Sequence, residues 1–110
     1  MISIIVESGS TKSDWVLLEN EHKTYVQTMG FNPYFHDEAF ILKKIIQNAE
    51  LSKKATLVGS IHFYGAGCSS DALNAVVERA LKKAFPSAEV YVGRDLEACA
   101  FACYSGEPII

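Results

Sequence analysis

The residues best suited to chemistry stand in a short polar stretch near the start of the chain. Glu7 ends a first apolar run, and residues 8–12 (Ser-Gly-Ser-Thr-Lys) precede a second one that begins at Trp15. Two apolar runs around such a stretch are typical of a β-hairpin whose tip carries Gly, hydroxyls and an ammonium. Backbone N–H groups, hydroxyls and a Lys at one point are the groups that a phosphate chain needs. The stretch therefore predicts phosphate binding, with Glu7 placed to face a magnesium ion.

A plain surface turn is the alternative interpretation of residues 8–12, because most turns rich in Gly, Ser and Thr are only that. The stretch also lacks the Gly-x-x-x-x-Gly-Lys-Ser/Thr spacing of a P-loop. Taken alone, it leaves both interpretations open.

A second glycine-rich stretch, residues 65–70 (Gly-Ala-Gly-Cys-Ser-Ser), lies between a predicted strand and a predicted helix. It resembles the dinucleotide-binding fingerprint but has Ser70 in place of the third Gly. One interpretation is a turn whose backbone angles require glycine. The other is a ligand bound by N–H groups at the helix N-terminus.

Two more polar residues stand in connections between elements. Asn32 precedes Pro33 in a loop, where it either forms a turn or exchanges hydrogen bonds with a polar ligand such as a sugar. Asp95 follows the last predicted strand, where it either caps a helix or provides a carboxylate at the carboxyl end of a central strand. In the second interpretation, Asp95 accepts a proton from a substrate hydroxyl as phosphoryl transfer begins.

The composition of the 110-residue chain is that of one globular domain, with 49% hydrophobic and 21% charged residues. A net charge of −3 argues against nucleic acid or an anionic membrane as the main partner. The sequence has no apolar run of transmembrane length, and we expect no signal peptide, because Met1 leads straight into the first predicted strand. Three cysteines without metal-type spacing favour a reducing, cytoplasmic location.

Cys99 and Cys103 lie four residues apart on a predicted helix. This spacing favours a role in packing over an iron–sulfur or zinc role.

Hydrophobic periodicity predicts the elements that must position these residues. Strands are expected over residues 2–7, 14–19, 23–29, 56–64 and 89–93, helices over 37–49, 70–85 and 95–104, and a polar connection over 51–55. The buried helix faces are expected to hold Ala39, Leu42, Ile45, Ile46 and Ala49 in the first helix, and Leu73, Val76, Val77, Ala80, Leu81 and Ala84 in the second. Right-handed crossovers make the last two strands parallel to the first. The order predicts an α/β, ribonuclease-H-like fold: a mixed five-stranded sheet, three antiparallel strands and then two parallel ones, with helices packed on it.

Several of these motifs together resemble one superfamily. The sequence from Glu7 to Trp15 (Glu-Ser-Gly-Ser-Thr-Lys-Ser-Asp-Trp) is similar to the first phosphate motif of the sugar kinase, heat-shock chaperone and actin superfamily. It most resembles the N-acetylglucosamine-kinase-like, BadF/BadG/BcrA/BcrD-type ATPase family, where Asp-Ser/Gly-Gly-Ser-Thr-Lys-Thr-Asp-Trp is typical. Gly30-Phe-Asn-Pro33, Tyr64-Gly-Ala-Gly-Cys68 and Arg94-Asp-Leu-Glu-Ala98 also match that family, in the same order. The resemblance spans nearly the whole chain.

The resemblance implies an ATP-dependent kinase, a transferase acting on N-acetylglucosamine or a related amino sugar with ATP and Mg²⁺ as cofactors. It implies that the cofactor-binding residues are Ser8, Gly9, Ser10, Thr11 and Lys12, the last four of them on the β- and γ-phosphates, with Glu7 holding Mg²⁺ through water. It implies a sugar site formed by Asn32, Gly65, Ala66, Gly67 and Asp95, with Asp95 as the catalytic base for the sugar 6-hydroxyl.

Two departures from the family pattern affect these expectations. The family usually has Asp at the position of Glu7, and the extra methylene changes the reach to the metal. Family members also continue past the position of Ile110 with a second phosphate loop and a second domain that carries the adenosine site. The resemblance thus implies that residues 1–110 are an N-terminal lobe, expected to fold but not to turn over substrate without the C-terminal lobe. Many relatives are dimers, so a homodimer is an expected assembly.

Other functions remain open at this point. The same lobe occurs in ATPases that activate a partner enzyme, although Cys99 and Cys103 match poorly the interface cysteines that hold their iron–sulfur cluster. A non-catalytic binding or oligomerisation module is a further alternative. A dinucleotide-binding domain is disfavoured by the antiparallel opening strands and the missing third Gly.

Overall fold

The computed structural model describes residues 1–9, 11–65, 67–68 and 70–93, and within them the chain forms five strands, two longer helices and two short helical segments. The strands are β1 (Ile2–Ser8), β2 (Lys12–Glu19), β3 (His22–Met29), β4 (Val58–Gly65) and β5 (Glu89–Gly93). The helices are α1 (Glu38–Gln47), α2 (Ala49–Lys53) and α3 (Asp71–Ala84), with a 3₁₀ turn at Ala55–Leu57.

The strands form one mixed sheet in the order β3-β2-β1-β4-β5. The β1–β2 and β2–β3 pairs are antiparallel, whereas β4 is parallel to β1 and β5 is parallel to β4. The predicted α/β fold with its mixed five-stranded sheet is therefore confirmed. Because the chain leaves β1 toward one edge and later returns to fill the other, the strand order reverses between β1 and β4. Open sheets bind ligands beyond the carboxyl ends of strands at such a point.

One hydrophobic core joins the sheet to the helices. Alternate residues of the strands point to the core face, so that Ile4 and Val6 are fully buried while Glu7 is exposed. The core comprises Ile2, Ile4, Val6, Trp15, Leu17, Phe31, Ile41, Ile45, Leu51, Val58, Ile61, Phe63, Cys68, Val77, Ala80, Leu81, Ala84 and Phe85. Each large aliphatic or aromatic side chain in this set contributes about 1.5–3 kcal/mol by leaving water.

The long helices begin at side-chain caps. Asp37 Oδ1 accepts a hydrogen bond from the Phe40 N–H at 2.8 Å, and Ser70 Oγ accepts one from the Leu73 N–H at 3.3 Å. The predicted buried face of α3 is confirmed at Val77, Ala80, Leu81 and Ala84, whereas Leu73 and Val76 are half-buried. Among the described residues, no helix has the length and apolar character to cross a membrane.

The prediction for residues 37–55 is wrong in two respects. The buried residues of α1 are Ile41 and Ile45, whereas Ala39, Ile46 and Ala49 are exposed. The polar connection contains the helix α2, whose Leu51 is fully buried. The second error and the exposure of Ala49 have one cause, because Asn48 adopts an extended backbone and accepts a hydrogen bond from the Leu51 N–H at 3.0 Å. This cap ends one helix and starts another, so no single helical period runs through the segment.

An ion cluster on the surface joins α1 to α3. Arg79 Nε donates to Glu38 Oε1 at 2.7 Å, and the Lys83 ammonium pairs with Glu38 Oε2. The hydrogen bonds from Lys83 and then Arg79 lower the pKa of the Glu38 carboxyl below its ordinary value.

Candidate functional site

The three glycine- and Asn-containing segments of the sequence meet at the carboxyl ends of β1 and β4. They are the hairpin tip (residues 9–12), the Asn32 loop (residues 30–36) and the Gly67 turn (residues 65–70). Ser8, just before the tip, lies opposite Gly65 in the β1–β4 register. Lys12, at the end of the tip, lies opposite Met29, the last residue of β3 before the Asn32 loop. The hairpin tip and the Gly67 turn, which lie far apart in sequence, thus share one edge of the sheet, at the reversal in strand order.

The hairpin tip presents two side chains to solvent. Thr11 and Lys12 are exposed, so their hydroxyl and ammonium are accessible to an anion. The Gly9 N–H donates to the Lys12 carbonyl oxygen at 2.8 Å and closes the hairpin. The Gly9 amide is therefore used within the turn, and a phosphate would meet the later residues of the tip.

Ser8 differs from the tip residues because its side chain is buried. Its hydroxyl accepts hydrogen bonds from Ser13 Oγ at 2.7 Å and from the Phe31 N–H at 2.9 Å, and donates to the Phe31 carbonyl oxygen at 3.2 Å. One donated and two accepted bonds fill the capacity of a hydroxyl. The structure thus places the Ser8 side chain beneath the tip, bonded to the backbone that precedes Asn32.

The backbone around Asn32 is held by several hydrogen bonds. Asn32 Oδ1 accepts from the Tyr34 N–H, and the Asn32 carbonyl accepts from the N–H groups of Phe35 and His36, each at 2.9 Å. The Asn32 N–H donates to His36 Nδ1 at 3.0 Å, and the His36 ring stacks on Phe40 at a centroid distance of 4.6 Å. These bonds form an Asx-type turn, which agrees with the turn interpretation of Asn32 and fixes the direction of its side chain.

The Gly67 turn packs directly on the Asn32 side chain. Gly67 has φ +82°, and a Cβ built there would overlap the Asn32 amide, lying 2.8 Å from Cγ. Glycine at this position therefore provides both a left-handed backbone and the space that Asn32 occupies. At Gly65, glycine is required only because a side chain would not fit: a Cβ there would lie 2.7 Å from Phe63 Cε1. The expectation that the turn requires glycine backbone angles is met at Gly67.

Glu7 has an acidic neighbour that the sequence interpretation missed. Asp14 lies directly opposite Glu7 in the β1–β2 register, on the sheet face away from Ser8, and accepts a hydrogen bond from Gln27 Nε2 at 2.9 Å. The sequence could have predicted this neighbour, because residues equally distant from the tip of a tight hairpin pair with each other. Like charges placed opposite each other destabilise a sheet unless a cation lies between them.

The residues present fit a magnesium ion bound with a phosphate chain. No group of three or more His, Cys, Asp or Glu residues gathers within the described ranges, so Glu7 and Asp14 are the acidic contacts that these ranges would offer. Mg²⁺ commonly takes one or two carboxylates, with waters and phosphate oxygens completing its six ligands.

An aromatic cluster on the same sheet face was also not predicted. Tyr64, opposite Glu7 in the β1–β4 register, is buried, and its ring lies 5.9 Å from Tyr91 and 6.5 Å from His62. This cluster covers the sheet beside Glu7.

Three of the predicted site residues, Ser10, Ala66 and Asp95, lie outside the described residues. β5 ends at Gly93, opposite Tyr64 and at the edge of the sheet that carries the three segments. The role of Asp95 stays a prediction from sequence.

Comparison with known proteins adds no assignment: no family model matches the chain, and no curated protein matches it. The family resemblance stays a prediction based on the motifs themselves.

Proposed function

We propose that this chain is the phosphate- and sugar-binding lobe of an ATP-dependent kinase acting on N-acetylglucosamine or a related amino sugar. What supports the proposal is the meeting of the hairpin tip, the Asn32 loop and the Gly67 turn at the carboxyl ends of β1 and β4. A kinase needs phosphate-binding and acceptor-binding groups a few ångströms apart, since phosphoryl transfer depends mainly on positioning and charge stabilisation.

The phosphate side of the proposed site is the hairpin tip. The exposed Lys12 ammonium and Thr11 hydroxyl contact the β- and γ-phosphates, together with Ser10. Glu7 and Asp14, which face each other on the hairpin, would hold Mg²⁺. When bound, Mg²⁺ neutralises charge that develops on the transferred phosphoryl group.

The sugar side of the proposed site is the Asn32 loop with the Gly67 turn. Asn32 Oδ1 is bonded to the Tyr34 N–H, while Nδ2 has no hydrogen-bond partner among the described residues, which leaves it as a donor for a sugar oxygen. Phe35, in the same loop, is 82% exposed and offers an apolar surface for a sugar ring or an acetyl methyl group. Asp95 is proposed as the base that accepts the proton of the 6-hydroxyl. A cytoplasmic location belongs to the same proposal and rests on the odd number of cysteines.

The test is ADP release by the protein at its full encoded length, with Mg-ATP and a panel of hexoses and amino sugars. We expect N-acetylglucosamine to stimulate ADP release, and Asp95→Asn to abolish the stimulation. Asp71→Asn, at the exposed first turn of α3, is the matched control and should retain it.

Other outcomes would point elsewhere. ATP hydrolysis at the same rate with and without sugar would contradict the kinase and favour an ATPase that activates a partner enzyme. Absence of any nucleotide binding would contradict both and favour a non-catalytic module.

A further inference from the structure

Ser8 and Ser13 are the two polar residues that are buried in the described part of the chain. Their hydroxyls lie 2.7 Å apart, and Ser8 exchanges two hydrogen bonds with the backbone of Phe31, 23 residues away in sequence. Burying hydroxyls costs free energy unless they are hydrogen-bonded, and here the Phe31 backbone provides that bonding. The pair is therefore a specific link between two segments.

The link joins the two halves of the proposed site. Ser8 and Ser13 face each other across the hairpin stem, one step below Gly9 and Lys12, which close the tip. On the other side, Phe31 directly precedes Asn32. Because Phe31 is fully buried and bonded to Ser8, we expect a movement of the hairpin stem at Ser8 to displace the backbone of Asn32 as well.

We propose that Ser8 and Ser13 are positioning residues that couple phosphate binding at the hairpin tip to sugar binding at the Asn32 loop. The Ser8 hydroxyl, with all its hydrogen-bonding capacity used inside the protein, acts on the ligands only through Phe31 and Ser13. Coupling of this kind is reciprocal, so nucleotide tightens sugar binding by the same factor as sugar tightens nucleotide binding. The inference rests on the proposed function, since it needs a site that takes both ligands.

The chain contains a matched control for the loss of a serine hydrogen bond. Ser60 Oγ on β4 donates to Ser3 Oγ at 3.1 Å, at the end of β1 opposite to Ser8. Ser3→Ala removes a bond between two serines without touching the tip or the Asn32 loop.

The experiment measures the dissociation constant of N-acetylglucosamine with and without saturating Mg-ADP, in the protein at its full encoded length. For the unsubstituted protein we expect Mg-ADP to tighten sugar binding by about fivefold or more. The ratio of the sugar dissociation constants without and with Mg-ADP should fall close to one in Ser8→Ala. Ser13→Ala should reduce this ratio partly, and Ser3→Ala should leave it unchanged. Ser13→Ala keeps the Ser8–Phe31 bonds, so it tests the link even if Ser8→Ala does not fold.

Hydrogen exchange at the Phe31 amide provides a readout that needs no ligand. We expect Ser8→Ala to accelerate that exchange by about tenfold, the factor that corresponds to about 1.4 kcal/mol, and Ser3→Ala to leave it unchanged.

Each outcome either supports or overturns the coupling. If both ligands bind but the ratio is one in the unsubstituted protein, the coupling is overturned while the proposed function stands. A ratio retained in Ser8→Ala and Ser13→Ala also overturns it. If the unsubstituted protein binds neither ligand, the coupling and the proposed function fall together.

Discussion

At the scale of single residues, Gly67 combines a backbone requirement with a contact to Asn32. Gly67→Ala introduces a Cβ at φ +82° and against the Asn32 amide, so we expect a loss of about 1–2 kcal/mol in the free energy of unfolding, with weaker sugar binding. Urea unfolding and sugar titration measure the two effects. Gly9→Ala is the control for stability, because its Cβ would lie 3.6 Å from the nearest atom, the Lys12 carbonyl oxygen. Equal losses in both variants would contradict the special position of Gly67.

The facing carboxylates of Glu7 and Asp14 lead to a second prediction. Asp14→Asn removes the repulsion but keeps the oxygen that accepts from Gln27, so without Mg²⁺ we expect stability to rise by about 0.2–1 kcal/mol. Thermal unfolding in a metal-free buffer measures this change in stability. Glu19→Gln, at the far end of β2, is the control for the removal of one carboxylate. A destabilised Asp14→Asn protein would show that the two charges do not oppose each other.

The sequence predicts that these polar segments matter, but it does not reveal which of their side chains face outward. Residues 7 and 8 alternate between the two sheet faces, so their neighbours depend on the pairing register of the hairpin. That register brings Asp14 beside Glu7 and Ser13 beside Ser8. The bonds from Ser8 to Phe31 depend on tertiary packing, which no local pattern reveals.

At the scale of elements, the ion cluster between α1 and α3 predicts a dependence of stability on pH. Lys83 and Arg79 lower the pKa of Glu38 in the folded state. The contribution of the ion cluster to the stability of the fold is therefore fully present above the ordinary carboxyl pKa. It is lost as the pH falls through the lowered pKa of Glu38 in the folded state.

Glu38→Gln should remove this part of the acid destabilisation. Melting temperatures measured from pH 7 down to pH 3 should fall less steeply for Glu38→Gln than for the unsubstituted protein. Glu21→Gln, in the turn between β2 and β3, is the control for the removal of one carboxylate. Parallel curves for all three proteins would contradict a stabilising role of the cluster.

The elements also show where sequence patterns succeed. α3 was predicted closely because Ser70, Asp71 and the lysines of its last turn all mark the ends of one uninterrupted period. The α1–α2 segment was predicted poorly, because the Asn48 cap interrupts the helix inside a hydrophobic pattern that looks continuous. The parallel direction of β4 and β5 followed from connection rules, since right-handed helical crossovers make these strands parallel to β1.

At the scale of the whole molecule, one core connects all the elements that carry the site. Leu51 is fully buried in that core, whereas Leu57, six residues later, is 54% exposed. We expect Leu51→Ala to lower the free energy of unfolding by about 2–5 kcal/mol and Leu57→Ala to change it by less than about 0.5 kcal/mol. Urea titration followed by far-ultraviolet circular dichroism should show a single transition in each case. Two separate transitions in Leu51→Ala would show that the helical layer unfolds independently of the sheet.

Trp15, the single tryptophan of the chain, lies in this core at the junction of three elements. It is fully buried on β2, its indole N–H donates to Thr28 Oγ1 on β3 at 2.9 Å, and its ring lies 6.2 Å from Phe85 after α3. The molecule therefore carries its own optical reporter, two residues from Ser13 and shielded from solvent. Its emission will shift to longer wavelength when water reaches the core, so folding and ligand-linked movements of the hairpin can be followed without attaching a dye.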